Sequence, residues 1–192
     1  MNGTYLFFDT ETTGLPRNRN APLHDLGNWP RLVQIAWLVF DQQGKELSGI
    51  SHIIRPEGFT IPGDASRFHG ISTERAIREG ADLQTILTQF SEMIDQAEYL
   101  VAHNMAFDEK IVGAEFLRKN VAHDLLRTKR ICTMESSVNF CAIDGPYGYK
   151  WPTLSQLHFK LFNTGFEETH NAAVDVRATA KSFWELRRRG LL

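Results

Sequence analysis

The chain has 192 residues, 42% of them hydrophobic and 11% aromatic, and a formal net charge of −2. At roughly 150 residues per domain this favours a single domain over 1–192 with one sizeable core, and the near-neutral charge excludes a global basic field, so any nucleic-acid contact is local. Cys132 and Cys141 form neither a CxxC pair nor a zinc pattern, "MNGTY" lacks the regions of a signal peptide, and no apolar run approaches the about 20 residues of a membrane helix, so the expectation is a soluble cytoplasmic protein with reduced thiols and no membrane partner.

The elements follow in order. Residues 4–9, "LVQIAWLVF" (32–40) and "ELSGISHIIRP" (46–56) read as strands, the last two joined by "DQQGK" as an antiparallel hairpin. The Pro-, Asn- and Gly-rich stretch between the first two, Pro16 to Pro30, reads as a long surface loop that shapes the entrance to a site. "STERAIREG" begins a helix with Ser72 or Thr73 as cap and Gly80 as stop. Leu83, Ile86, Leu87, Phe90, Met93 and Ile94 make the apolar stripe of a second helix. "YLVAHN" is a short buried strand, "AFDEKIVGAEFLRKN" a helix, and residues 129–134 a fifth strand. "TLSQLHFKLF" and "NAAVDVRATAKSFWELRRRG" close the chain as helices, with Gly190 after the last turn. A three-strand meander followed by alternating strands and helices predicts a mixed five-stranded α/β sheet flanked by helices.

The first strand carries a conflict. Asp9 and Glu11 are two residues apart, and if the extended conformation continues through Glu11 they project to one side. Like charges that close push each other toward the neutral form unless a cation lies between them. Asp108 stands near a helix start after a buried strand, His170 in a loop or helix start, and Asp175 about one turn inside the last helix. Each acid taken alone is more simply a turn former or a helix-dipole partner. Together they occupy strand ends and first helical turns, where open α/β sheets gather ligands.

"FDTETTGL", "HNMAFD" and "HNAAVD" resemble, in order, the three motifs of the DnaQ-like 3′–5′ exonucleases, in the branch ending H-x-A-x-x-D that includes the proofreading subunit of bacterial replicative polymerase. The resemblance implies an RNase H-like fold, catalytic residues Asp9, Glu11, Asp108, His170 and Asp175, and two divalent ions, Mg²⁺ or Mn²⁺, held by the four carboxylates. Hard cations take oxygen ligands, and two of them about 3.5–4 Å apart can clamp both oxygens of an in-line phosphoryl displacement. It further implies that Asp9 bridges both ions, that Glu11 and Asp175 complete one site, that Asp108 supports the other, and that His170 is the general base. A helix start and metals favour a neutral imidazole there, and the carboxylates oppose them.

By the same resemblance Thr10, Thr13, Gly14, Leu15, His69, His103, Asn104 and Phe107 contact the terminal nucleotides. An ordinary turn at Gly14, a surface His69 and a core Phe107 are the structural alternatives. Arg118, Lys119, Arg127, Lys129 and Arg130 are either a phosphate track or a solvated face. "SQLHFKLF" is faintly similar to a sliding-clamp peptide, but Leu154, Leu157 and Leu161 share one helix face and favour core packing. The expected activity is metal-dependent release of nucleoside 5′-monophosphates from single-stranded DNA or RNA 3′ ends, with a polymerase or a second copy of the chain as the partner to look for. The alternatives are an exoribonuclease of short RNAs and a non-catalytic, polymerase-associated binding module.

Overall fold

The computed structural model describes residues 3–166 and 170–192. Strands β1 (Tyr5–Thr12), β2 (Leu32–Phe40), β3 (Glu46–Ile53), β4 (Tyr99–Ala102) and β5 (Lys129–Cys132) form one sheet in the order β3-β2-β1-β4-β5. The first three pair antiparallel, as the expected meander, and β4 and β5 join parallel, with β4 beside β1.

Helices α1 (Gly63–His69), α2 (Thr73–Glu79) and α3 (Leu83–Gln96) connect β3 to β4, and α4 (Met105–Lys119) connects β4 to β5. After β5 come the short helices α5 (Thr133–Ser136) and α6 (Val138–Cys141), a small hairpin of β6 (Asp144–Gly145) and β7 (Gly148–Tyr149), then α7 (Leu154–Phe162) and α8 (Ala172–Arg188).

Alternation along β1 divides the molecule into two layers. Leu6 and Phe8 pack with Leu87, Phe90, Ile111 and Phe116 of α3 and α4. Tyr5 and Phe7 pack on the other face against Val176, Ala180 and Phe183 of α8.

Three expectations are corrected. The first strand runs to Thr12 rather than stopping at Asp9, so the extended backbone carries both acids. The third stops at Ile53, because the next residues pair with another segment: Ala81 N–H donates to Ile53 O and Arg55 N–H to Ala81 O. The fifth stops at Cys132 rather than residue 134, because Thr133 begins α5. The stretch from Pro16 to Pro30 is the expected surface loop, anchored on α4 by Ala21 and Trp29 buried against Ala114 and by cross-bonds between Asn18 and Asn28. Leu154, Leu157 and Leu161 are buried, as core packing requires.

Candidate active site

β1 reaches past the carboxyl end of β4, where Ala102 leads through Asn104 into α4. There Asp9 and Glu11 continue the Tyr5–Phe7 side of the strand, toward α8. Asp175 lies in the first turn of α8, and single oxygens of Asp9, Glu11 and Asp175 all fall within 4.8 Å of one another. Thr10 continues the opposite side, toward α4, and there its hydroxyl and its N–H donate to Asp108 Oδ1 at 2.6 and 3.1 Å. Strand alternation thus delivers two acids to α8 and a clamp for the fourth to α4.

The register of β2 fixes the helix that carries Asp175. Gln34 lies opposite Glu11; its Oε1 accepts from Ala172 N at 3.2 Å and its Nε2 donates to Asn171 Oδ1 at 3.4 Å. Asn171 caps α8 by accepting from Ala173 N. Gln34 was not singled out from the sequence, although a lone amide inside "LVQIAWLVF" is a visible signal, since a buried polar side chain needs partners.

Four acids in one place perturb each other. Burial, then Asp108, Glu11 and Asp175, raises Asp9 well above the usual carboxylate range. Glu11 is pushed up to about 8 by burial, with Asp175 and Asp108 adding to it. Asp108 rises to about 7 through burial, against the hydrogen bonds from Thr10 that favour its charged form. The cluster therefore holds protons, or it holds cations. Its donors are all carboxylate oxygens, a set that suits hard divalent ions.

His170 has φ +43° and sits just outside α8, before the cap; its ring stacks on Phe68 with centroids 3.7 Å apart. Phe68, 60% exposed, belongs to α1 and borders the cavity over the acids.

That cavity, about 650 Å³, is floored by Asp9, Glu11, Asp108 and Asp175 and walled by Gly14, Leu15, Phe68, His69, Asn104 and Phe107. Leu15 is 72% exposed at its rim, and Gly14 has φ +141° with open space where a Cβ would stand. Phe107 both lines the cavity and packs on the core. His69 is buried rather than on the surface; burial lowers its pKa, and Nδ1 accepts from Ile71 N. Two of the expected contact residues have partners within the protein. Thr13 Oγ1 accepts from Arg31 N at 2.9 Å and does not line the cavity; Thr12 does. Thr10 lines the cavity, with its hydroxyl donating to Asp108.

His103 lines the cavity with its ring tied at both nitrogens, Nδ1 to Thr133 Oγ1 and Nε2 to Pro152 O. The basic residues fare differently from a free phosphate track. Arg118, Lys119, Arg127, Lys129 and Arg130 are each ion-paired, to Glu115, Glu57, Asp124, Glu98 and Glu109.

A family model, RNase_T, described as Exonuclease, matches residues 6–183. The chain belongs to the DnaQ-like 3′–5′ exonuclease family. Among curated relatives of this exonuclease chain, DNA polymerase III PolC-type of Lactococcus lactis is 28% identical over 93% of the chain, which covers 10% of that protein. Its counterpart from Streptococcus pneumoniae is 29% identical over 93%, covering 11% of that protein. The chain thus spans about a tenth of the length of these relatives.

In fold this family member is similar to E. coli exonuclease I solved with single-stranded DNA and zinc, with a TM-score of 0.75 and 20% identity over 98% of this chain and 41% of that one. Exonuclease I from Methylocaldum szegediense gives 0.74 and 19%, over 97% and 41%. These neighbours share the RNase H-like fold expected from the sequence. Among the described residues, no helix is long and apolar enough to cross a membrane.

Proposed function

We propose that this exonuclease-family chain removes nucleotides one at a time from single-stranded DNA 3′ ends, using divalent metal, and releases nucleoside 5′-monophosphates. The observation that carries the reading is the meeting of Asp9, Glu11 and Asp175 within 4.8 Å, beside Asp108, on the floor of an open cavity.

Asp9, Glu11, Asp108 and Asp175 would hold Mg²⁺ or Mn²⁺, which when bound supplies charge neutralisation and Lewis acidity at the phosphate. The chain's own residues do the rest. Gly14, Leu15 and Phe107 seat the terminal nucleoside by close backbone approach and apolar contact. Stacking of this kind tolerates any base, which suits an enzyme that degrades unselected ends. His170 takes the proton from the attacking water, a task that requires a neutral imidazole within hydrogen-bond reach.

The test uses matched DNA and RNA oligonucleotides labelled at either end, incubated with Mg²⁺, with Mn²⁺, with EDTA, and with Asp9→Ala. Stepwise shortening from the 3′ end that needs metal and Asp9 supports the proposal. Faster loss of RNA would change the substrate to short RNAs. No cleavage of either polymer in either metal would turn the reading to a binding module.

A further inference from the structure

A second cavity, about 340 Å³, meets the first on the acids: Asp9, His103, Asn104 and Asp175 border both. Its far wall is Trp151 with Pro152 and Thr153. Its volume falls at the low end of the range of small-ligand sites. Trp151 is 61% exposed. An indole left in solvent beside two carboxylates is not explained by packing, since burying it elsewhere would be favourable.

The segment that carries Trp151 is fixed on both sides. Before it, Lys150 N–H donates to Ile143 O at 2.9 Å, closing the β6–β7 hairpin. After it, Pro152 O accepts from His103 Nε2 at 3.1 Å, which ties the segment to the end of β4 beside Asn104. The Thr153–Gln156 capping box then starts α7. An aromatic surface held this way loses little freedom on binding.

A scissile phosphate held over Asp9 and Asp175 has a nucleoside on each side. The larger cavity, with Leu15 and Phe107, takes the terminal one. We propose that the indole of Trp151 is the stacking surface for the base of the penultimate nucleotide, the one that becomes the new 3′ end after cleavage. This inference rests on the exonuclease reading, and it names a second subsite on the opposite side of the acids.

The test separates the two claims. A short fluorescein-labelled oligodeoxythymidylate with a phosphorothioate terminal linkage is titrated in Ca²⁺ with wild type, Trp151→Ala and Trp151→Phe, and again with the penultimate base removed. Wild type is expected to bind the intact strand about 5- to 150-fold more tightly than the abasic one. Trp151→Ala should bind both equally and weakly, and Trp151→Phe should recover most of the difference. An abasic penalty that persists in Trp151→Ala, or equal binding of both strands by wild type, would overturn the assignment. If wild type cleaves no 3′ end, the exonuclease reading falls, and the binding comparison still decides the role of Trp151.

Discussion

Thr10 and Asp108, 98 residues apart in the chain, are joined by two hydrogen bonds to a single carboxylate oxygen. The pair locks the first turn of α4 to β1. It also favours the ionised form of an acid whose pKa burial has raised to about 7. Thr10→Val keeps the shape and removes the stronger donor. At subsaturating Mg²⁺, where protons compete with the ion for this carboxylate, the acid limb of the pH–rate profile should then move upward, with kcat/KM at pH 7 falling about tenfold and recovering at higher pH or saturating Mg²⁺. An unshifted limb would show that Asp108 does not set it.

The raised acids also make metal-free stability depend on pH. Asp9, Glu11 and Asp108 bind protons in the folded chain at pH values where the unfolded chain has released them. Stability therefore falls as pH rises, from the ordinary carboxylate range of about 4 up through the value of about 8 at Glu11. In EDTA the melting temperature should drop across this window. Asp9→Asn should flatten the slope and raise the melting temperature at pH 8 by about 2–4 °C for each kcal/mol of repulsion removed. Mg²⁺ should restore wild type at pH 8 and have far less effect on the variant. A flat profile for wild type in EDTA would refute the coupling.

What could be read in advance follows from periodicity. The amphipathic α3 and the apolar β2 announce themselves because burial there repeats along the element. The acids were legible as a group because β1 alternates and because Asp108 and Asp175 open helices. Helix α1 was not: only Ala65 and His69 are buried in it, too few to make a stripe, yet it supplies Phe68 to the cavity. The side-chain directions of Thr10 and Thr13 were equally hidden, since each is set by a residue distant in sequence. The ion pairs of Lys119, Lys129 and Arg130 bring together carboxylates that only the folded sheet places nearby.

His170 and Phe68 give a kinetic prediction. His170→Ala should lower kcat by about 10²- to 10⁴-fold, the usual contribution of general acid–base catalysis, while oligonucleotide affinity stays close to wild type. Phe68→Ala removes the ring on which the imidazole rests and should lower kcat by a smaller factor, with Phe68→Tyr retaining most of the rate. Single-turnover rates at saturating enzyme separate this from weakened binding. Wild-type kcat in His170→Ala would remove the base assignment.

Glu115 anchors the loop that precedes β2. Its carboxylate is fully buried in α4, and Oε1 accepts from Arg31 Nε at 2.8 Å and Leu32 N at 3.1 Å, with Arg118 Nη1 2.9 Å away. Arg31 in turn brackets Thr13 with its own backbone, at the edge of the segment bearing Gly14 and Leu15. Removing one partner of a buried ion pair strands the remaining charges, so Glu115→Ala should cost about 3–5 kcal/mol. Glu115→Gln keeps an acceptor for Leu32 N but loses the charge, and should cost less. If the anchor also positions the cavity rim, Glu115→Gln should raise KM for oligonucleotides at a temperature where it remains folded, with kcat nearly unchanged. Chemical denaturation and steady-state kinetics on the same preparations measure both, and a Glu115→Ala chain as stable as wild type would show that the pair is not what holds the loop.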